Sequence, residues 1–299
     1  MSALDEIGEA VARVGQQVGV SVVRIGRDGG RGAGVVVRDG HVATSAHNLR
    51  GPKVTVTFAD GRVATGDVKA ADIEGDLAVI EVDTSGAPAL SWAATGPGLG
   101  QVVFALGPGR GGAGRVTAGH VSAVGTAFRG PRGRLIEGAF EHTALVGRGS
   151  SGGPVVDASG ALVGLNTHRP GDGLYLAVPA DEALAARVDS LARGEAPRRP
   201  RLGVALVPPH VARRLRAAVG LEERDGLLVR HVDEEGPAAA AGIRPGDLIV
   251  AVGGSPVAGI DALAEAVEAH GDGNLAVTVV RGAEELTVEV AFQPPAGGD

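Results

Sequence analysis

The chain has 299 residues, a mass of 29.7 kDa and a formal net charge of −7. This length predicts two or three domains, each with its own core, and the negative balance excludes a nucleic-acid binder that depends on a dominant basic field. The chain has no cysteine, which removes disulfides, thiolate catalysis and cysteine-ligated zinc. Aromatic residues make up only 2%, so the cores must be built from Val, Leu, Ile and Ala.

The N-terminal segment carries Asp5, Glu6 and Glu9 where a signal peptide needs a basic start and an unbroken apolar stretch. No later run approaches the roughly 18 apolar residues of a transmembrane helix. The sequence therefore predicts no membrane segment and, if the chain is full length, a cytoplasmic protein. If a natural leader has been removed, the expected location is periplasmic or secreted.

The first two thirds of the chain have the pattern of a β protein. Apolar residues at helical spacing predict a short amphipathic helix over residues 4–14. From residue 20 to 178, short Val- and Leu-rich runs alternate with Gly, Asp and Pro turns, which is typical of a barrel or sandwich. These strands are too many for one small barrel, so we expect two adjacent barrels. A helix is predicted over residues 179–192.

A domain boundary is predicted at residues 193–201, RGEAPRRPR, because four arginines and two prolines suit an exposed, semi-stiff linker. The residues beyond it mix strand-like runs with two helices, near 209–219 and 260–270, and indicate a small α+β module. The expected division is a first domain at 1–192, the linker at 193–201 and a second domain at 202–293.

The most specific motif is GRGSSGGPVV, residues 147–156, which resembles the nucleophile loop of chymotrypsin-like serine peptidases. The resemblance implies that Ser151 is the nucleophile. The glycines have a physical reason, since a loop without side chains lets the N–H groups of Gly149 and Ser151 converge on a developing oxyanion. The alternative for this string alone is a glycine-rich hairpin.

Two further segments resemble the same peptidases. The segment TSAHN, residues 44–48, follows a Val-rich strand and implies that His47 is the general base. Asp76 stands directly before an apolar strand, where these peptidases keep the carboxylate that orients the imidazole. Taken alone, a histidine at a strand end is often structural and an aspartate before a strand is often a turn former. The order His47, Asp76, Ser151 is that of chymotrypsin.

Two other motifs point to different chemistry and lack the required context. Residues 149–153 also fit G-x-S-x-G, the motif of α/β-hydrolase esterases, but a strand-like run and not a helix follows. Residues 109–114 fit the dinucleotide fingerprint G-x-G-x-x-G, but again no helix follows, so we interpret them as a loop between the barrels. The histidines show no metal-type spacing. We therefore predict no cofactor and no metal.

Residues 236–257, GPAAAAGIRPGDLIVAVGGSPV, are similar to PDZ domains in the spacing of their Gly, Pro and Asp residues. Upstream, residues 201–204 resemble the carboxylate-binding loop, where successive N–H groups hold a peptide C-terminus while a strand edge accepts the peptide. For the apolar positions the alternative is plain core packing. The predicted peptide-binding residues are Leu202, Gly203, Val204, Leu263 and Val267.

A chymotrypsin-like domain followed by one PDZ domain resembles the HtrA (Deg) family of serine endopeptidases, and the resemblance runs from about Gly19 to Phe292. It implies a mainly β fold of two six-stranded barrels followed by a small α+β PDZ domain. It also implies ATP-independent cleavage of unfolded or damaged proteins, with C-terminal peptides bound at the PDZ domain. The family often forms trimers through N-terminal aromatic residues. Since the first aromatic here is Phe58, a homotrimer would need other contacts.

The sequence departs from the family just before the nucleophile. Residues 141–146, EHTALV, replace the usual Thr-Asp-Ala-Ala-Ile, Arg148 replaces Pro and Ser150 replaces Asn. Leu145 is predicted near the base of the S1 pocket, which favours a fairly small apolar P1 residue in the substrate. The same departures motivate a rival hypothesis, a catalytically latent PDZ-bearing scaffold or chaperone that keeps the protease fold.

Overall fold

The computed structural model describes residues 2–26, 32–109, 114–130, 133–167, 173–197, 199–257 and 259–292. Its contacts divide the chain into two compact units, Met1–Pro197 and Arg198–Asp299. The division falls inside the predicted linker at 193–201. Residue 198 of that linker, and residue 293 at the predicted end of the second domain, lie outside the described residues.

Helix α1 (Ala3–Gly19) opens the first unit. It begins at a capping box, in which the Ser2 side chain accepts the Asp5 N–H while the Asp5 carboxylate accepts the Ser2 N–H. Fully buried Val14 and Val18 join a core cluster that also contains Leu106. The helix continues past its predicted end at residue 14 because Val18 extends the apolar face by one turn.

The first barrel is a closed ring of six antiparallel strands in the order β1-β2-β3-β6-β5-β4. Alternate residues such as Ile25, Val42 and Ile80 fill its interior, as the period-two pattern of strands requires. Its strands are β1 (Val22–Ile25), β2 (Gly32–Arg38), β3 (His41–Thr44), β4 (Lys53–Thr57), β5 (Val63–Asp72) and β6 (Leu77–Glu81).

The second barrel is a closed ring in the order β10-β11-β12-β9-β8-β7, so the prediction of two six-stranded barrels is confirmed. Its strands are β7 (Val102–Gly107), β8 (Arg115–Arg129), β9 (Leu135–His142), β10 (Pro154–Val156), β11 (Leu162–Asn166) and β12 (Tyr175–Pro179). Helix α2 (Glu182–Ala192), capped by Asp181, then returns to pack on β5 and β6 of the first barrel.

The interpretation of residues 109–114 as a loop between the barrels is wrong. The segment connects β7 and β8, which both belong to the second barrel, and the chain crosses between barrels at residues 82–101. Residues 110–113 of the segment lie outside the described residues.

The second unit is an antiparallel sheet in the order β13-β14-β15-β17-β18, with β16 paired to β15. Strand β13 is an edge strand, and helix α5 packs against β15 and β17. The elements are β13 (Val204–Val207), α3 (Pro209–Ala218), β14 (Leu227–Val232), α4 (Pro237–Ala240), β15 (Leu248–Val252), β16 (Ser255–Pro256), α5 (Ile260–His270), β17 (Gly273–Arg281) and β18 (Glu284–Phe292).

Candidate active site

His47 and Asp76 form a bidentate pair at one end of the first barrel. A 3₁₀ turn after β3, Ala46–Asn48, presents the histidine, and the turn before β6 presents the aspartate. His47 Nδ1 lies 2.9 Å from Oδ1 and 2.8 Å from Oδ2 of Asp76, and the His47 backbone N–H donates to Oδ1 at 3.0 Å. A carboxylate only accepts hydrogen bonds, so Nδ1 carries the proton and Nε2 keeps a free lone pair.

Within this pair Asp76 is buried, whereas His47 is partly exposed to solvent. The Asp76 side chain is 2% exposed, whereas the His47 side chain is 36% exposed. A buried carboxylate that accepts several donors holds one position, and it fixes both the tautomer and the orientation of the imidazole. The accessible Nε2 edge can therefore take part in proton transfer at the cleft surface.

A clamp from α2 holds the turn that carries Asp76. Asp72 Oδ1 accepts the Gly75 N–H at 2.9 Å, and Arg187 donates to both Asp72 Oδ2 and the Gly75 carbonyl at 3.0 Å. Asp76 itself has φ of +49°, the one positive value found at a non-glycine position among the described residues. Aspartate is one of the few residues that tolerate this left-handed conformation. The clamp supports a backbone geometry that few other side chains could adopt.

Thr167 links the acid to the nucleophile. It follows β11, and its Oγ1 donates to Asp76 Oδ2 at 3.0 Å. Its carbonyl accepts the hydroxyl of Ser151 at 2.7 Å. The sequence analysis missed Thr167, because a threonine after a strand carries no local signal and only the contact reveals its part in the site.

The nucleophile loop depends on glycines for its backbone shape. Gly149 and Gly152 have φ of +85° and +83°, and a Cβ at Gly152 would lie 2.4 Å from the carbonyl oxygen of Ala33. Within the described part of the chain, the N–H groups of Gly149 and Ser151 donate to no acceptor. Two unpaired donors in such a loop are what an oxyanion site requires.

A cavity of about 180 Å³ opens beside Ser151. It is smaller than the roughly 300–1,000 Å³ of sites for drug-sized ligands, so it suits one modest side chain. No acidic side chain is among its described lining residues. These residues are Val146, Gly147, Arg148, Gly149, Ser150, Ser151, Asn166, Thr167, Tyr175 and Leu176.

Leu145, expected near the base of the S1 pocket, is not in this lining. Its side chain is 60% exposed, and its carbonyl accepts a hydrogen bond from the Thr117 hydroxyl at 2.7 Å. Tyr175 and Leu176 from β12 take part in the lining instead. The count of residues before Ser151 gave the correct segment but could not predict which way its side chains turn.

His142 is fully buried behind this cavity, where it stacks on the Tyr175 ring at 5.8 Å between centroids. Burial lowers the pKa of His142, and the hydrogen bond to Asn166 opposes that shift only in part. The neutral ring therefore donates its Nε2–H to Asn166 Oδ1 at 2.9 Å. Asn166 Nδ2 in turn donates to the Gly153 carbonyl at 3.2 Å, which supports the nucleophile loop from behind.

The predicted peptide-binding residues of the second unit also lie together. Leu202, Leu263 and Val267 are buried in one core cluster, and partly buried Val204 packs against it. Gly203 has φ of +74°. The N–H groups of Leu202 and Gly203 donate to no acceptor among the described residues. The unit thus presents two free donors beside the start of an edge strand and an apolar floor.

Neither a metal centre nor a membrane anchor is visible in the described part of the chain. No three side chains of His, Asp or Glu cluster there as metal ligands. None of the helices described is both long enough and apolar enough to cross a bilayer.

Two family models match the chain. A trypsin-like peptidase domain matches residues 32–165, which run from β2 of the first barrel to β11 of the second. A PDZ domain matches residues 228–281, within the second unit. Each match lies within the predicted domain, without reaching the boundaries at 1–192 and 202–293.

Curated relatives cover most of this chain. It is 34% identical over 278 residues to a serine protease named HhoA from Synechocystis sp., covering 87% of this chain and 70% of the relative. A periplasmic serine endoprotease named DegP-like from Halomonas elongata is 31% identical over 268 residues. That match covers 87% of this chain and 55% of the relative, so the chain spans about half the length of the DegP-like proteins.

Solved structures of serine proteases also superpose on this chain. The HtrA-type protease AlgW, determined with a decapeptide, superposes with a TM-score of 0.67 at 25% identity, covering 96% of this chain and 99% of the other. Two closed antiparallel barrels that match a trypsin-like peptidase domain define the chymotrypsin-like serine proteases. A PDZ domain follows them here. The chain belongs to the HtrA family of serine proteases.

The fold removes one alternative, and the comparisons give no support to another. An α/β-hydrolase needs a mostly parallel sheet with a helix after its serine, whereas β10 follows Ser151 in an antiparallel barrel. The hypothesis of a latent scaffold gains no support, because the relatives are named as proteases and endoproteases.

Proposed function

We propose that this protein is a serine endopeptidase that cleaves unfolded or damaged polypeptides, with Ser151 as nucleophile, His47 as general base and Asp76 as the orienting carboxylate. One observation carries the proposal. The bidentate His47–Asp76 pair is joined to Ser151 through Thr167, which donates to the acid and accepts the serine hydroxyl. These hydrogen bonds connect the segment of the first barrel that carries His47 and Asp76 to Ser151 through Thr167.

The proposed reaction begins when the Ser151 hydroxyl turns from the Thr167 carbonyl towards His47. Nε2 takes the proton as Oγ bonds to the scissile carbonyl carbon, and the carbonyl oxygen, now negative, accepts the N–H groups of Gly149 and Ser151. The imidazolium, stabilised by Asp76, gives its proton to the leaving nitrogen as the C–N bond breaks. Water, deprotonated by His47, then attacks the acyl carbon. The bond to Ser151 Oγ breaks and the imidazolium returns the proton to Oγ, which restores the serine and the neutral histidine.

The cavity beside Ser151 supports a preference for a small apolar P1 residue. Its volume of about 180 Å³ leaves room for an aliphatic side chain, and its described lining offers no carboxylate to pair with Lys or Arg. A library of peptides that differ only at P1 should be cut fastest after residues such as Ala or Val. Fastest cleavage after Arg or Lys would contradict this part of the proposal.

The second unit is proposed to bind the C-termini of polypeptides. The free N–H groups of Leu202 and Gly203 would hold a carboxylate, and edge strand β13 would accept the peptide as an added strand. An apolar peptide with a free C-terminus should bind more tightly than the same peptide with an amidated C-terminus, as measured by calorimetry. Equal affinities would make the role of the predicted peptide-binding residues structural.

The central test is degradation of an unfolded, casein-like protein at neutral pH. Ser151→Ala and His47→Ala should each lower kcat by about 10⁴-fold or more, because the triad acts as a unit. Ser255→Ala, at an exposed hairpin position, is the matched control and should keep wild-type activity. Circular dichroism and thermal unfolding establish that each variant is folded. Full activity in folded Ser151→Ala would reject the proposal.

Assembly and location complete the proposal. A homotrimer, expected from the family resemblance, would give a light-scattering mass of three times 29.7 kDa, whereas one chain mass would reject it. Location follows from fractionation of the native host: relatives are named periplasmic, and the sequence itself predicts a cytoplasmic protein if the chain is complete. Recovery with periplasmic markers would overturn the cytoplasmic prediction.

A further inference from the structure

Asn48 is a buried amide that contacts both halves of the candidate active site. It follows His47 directly in the 3₁₀ turn and is 2% exposed. Its Nδ2 donates to the carbonyl of Ser151 at 2.9 Å and to Thr44 Oγ1 at 3.0 Å. One side chain therefore connects the segment that carries the base with the backbone of the nucleophile, 103 residues further along the chain.

The hydrogen-bond donors and acceptors around Asn48 determine the orientation of its amide. Thr44 Oγ1 donates its single proton to the Ala33 carbonyl at 2.6 Å, so towards Asn48 it can only accept. The Ser151 carbonyl also only accepts. A flipped amide would therefore set Oδ1 against two acceptors, which excludes it.

With Nδ2 facing Ser151 and Thr44, the Asn48 amide loses free energy of hydration at its oxygen. Asn48 Oδ1 is buried and without a hydrogen-bond partner among the described residues. Buried acceptors without partners are rare because they lose their hydration and receive nothing in return. An apolar side chain of similar size would avoid this loss. That an amide stands here indicates that its two donors are needed.

The donors fix the backbone of the nucleophile. The Ser151 carbonyl accepts the Ala33 N–H at 2.9 Å as well as Asn48 Nδ2, so both of its lone pairs are used. The next N–H, that of Gly152, donates to the Asn166 carbonyl at 2.7 Å. The peptide unit after Ser151 is thus held from the first barrel on one side and from β11 on the other.

Gly32 provides the space that Asn48 occupies. A Cβ built on Gly32 would lie 2.1–2.2 Å from the Asn48 amide atoms, far inside van der Waals contact. Gly32 has no positive φ, so close approach of Asn48 is what excludes a side chain there. Gly32 and Asn48 are therefore a matched pair, in which the first residue has no side chain because the second fills the site.

We propose that Asn48 is a positioning residue for peptide-bond hydrolysis: it sets the distance between His47 and Ser151 by tying their two segments together across the barrels. The inference rests on the proposed function of these two residues. Displacement of a reacting group by about 1 Å can lower a rate by about 100-fold, so loss of this tie should lower kcat. Substrate binding should be unaffected, since Asn48 does not line the cavity beside Ser151.

The test replaces Asn48 with Leu, which keeps the approximate volume and removes both donors. In the full chain, kcat for a chromogenic peptide should fall about 10- to 100-fold with KM unchanged. The rate at which a fluorophosphonate modifies Ser151 should fall by the same factor, because it reports the nucleophile without peptide binding. Asn274→Leu, at an exposed position of β17, is the matched control. Wild-type kcat in folded Asn48→Leu would overturn the proposal.

A double-mutant cycle tests the matched pair. Gly32→Ala should push the amide aside and lower kcat. In Gly32→Ala/Asn48→Ala, the Asn48 amide atoms that lie nearest to a Cβ at position 32 are absent. The double variant should then be no slower than Asn48→Ala alone. Multiplicative losses would mean that the two residues act independently, which contradicts the proposal. If Asn48→Leu does not fold, Asn48→Asp keeps the shape while setting an acceptor against Ser151, and should show the same kcat loss.

Ser151→Ala separates this inference from the function on which it rests. If Ser151→Ala retains activity, the proposed nucleophile is wrong. If Ser151 is essential and the folded Asn48 variants are as fast as wild type, only the positioning role fails.

Discussion

The two halves of the candidate active site are built differently. On the base side, the Asp76 carboxylate accepts the ring and backbone N–H groups of His47 and the hydroxyl of Thr167, and it is almost fully buried. On the nucleophile side, the N–H groups of Gly149 and Ser151 are unpaired among the described residues, and the serine hydroxyl points to a backbone carbonyl. The His47–Asp76 pair is therefore fixed by hydrogen bonds within the protein, while the loop around Ser151 keeps two N–H groups unpaired among the described residues, which the proposed mechanism uses for the substrate.

This difference separates two kinds of mutational effect. Changes on the base side should alter how the imidazole is held, because both oxygens of the Asp76 carboxylate already accept hydrogen bonds from the protein. Changes in the clamp from α2, which is formed by Arg187 and Asp72, should alter the stability of the turn that carries Asp76. The following experiments test this distinction, beginning with the largest expected effect.

Asp76→Asn should lower kcat by about 10⁴-fold, equivalent to about 5.5 kcal/mol. The amide keeps the shape of the carboxylate and tolerates the left-handed backbone, but it can donate a proton to Nδ1 and so stabilise the wrong tautomer. The measurement is kcat on a peptide substrate, with thermal unfolding as the check on folding. A loss smaller than tenfold would mean that the base side does not depend on this carboxylate.

Arg187→Met should destabilise the first unit by about 3 kcal/mol, because it removes the guanidinium that pairs with the buried Asp72 carboxylate and donates to the Gly75 carbonyl. We take the low end of the range for broken buried pairs since the Arg187 side chain is 32% exposed. Urea unfolding measures the change. Arg193→Met, which breaks the exposed pair with Glu195, is the control and should leave the free energy of unfolding almost unchanged. Equal effects would show that the clamp contributes no more than a surface pair.

Thr167→Val should lower kcat by about tenfold, or about 1.4 kcal/mol. The substitution keeps the shape and the carbonyl that accepts Ser151, and it removes only the hydroxyl that donates to Asp76 Oδ2. KM should stay the same. Thr65→Val, at an exposed position of β5, controls for the loss of a threonine hydroxyl. An unchanged kcat would mean that the donors from His47 alone suffice to hold the acid.

The smallest expected effect is the dependence of stability on pH that His142 causes. Burial lowers the pKa of the His142 ring in the folded protein. As the pH falls below the ordinary value of 6.5, the ring is therefore protonated first in the unfolded chain and only at lower pH in the folded protein. Stability from the neutral ring is present above pH 6.5 and is lost as the pH falls through the lowered pKa. The stability difference between wild type and His142→Gln should therefore narrow between pH 7.5 and pH 5.

His210→Gln, an exposed histidine in α3, is the control for this pH series. Urea unfolding at each pH gives the free energy of unfolding for the three proteins. A difference between wild type and His142→Gln that stays constant over this range would contradict a neutral, buried His142.

Much of this architecture could be predicted from the sequence, because strands and turns are specified by residues that are close together in the chain. Short alternating runs with Gly and Asp turns specify strands, and the glycine-rich loop around Ser151 has few other uses. The helix starting at residue 3 was predicted too short, because Val18 continues the apolar face beyond the segment that first shows the periodicity.

The supporting residues could not be predicted, because each acts through a distant contact. Thr167 is 91 residues from Asp76, and Arg187 is 115 residues from Asp72. Nothing in the neighbouring sequence distinguishes such residues from any other threonine or arginine. Leu145 shows a second limit: its place in the sequence suggested the pocket, but its side chain is exposed and is not in the described lining of the cavity beside Ser151.

The left-handed backbone at Asp76 also limits how this enzyme can change by mutation. Glycine, asparagine and aspartate adopt that conformation at low cost, and most other residues would strain the turn before any chemistry is lost. Asparagine differs from aspartate by a single nucleotide in its codons. On the proposed mechanism, a single nucleotide change at position 76 therefore gives a stable, inactive protein, and inactive descendants of this kind should have an intact fold with Asn or Gly there.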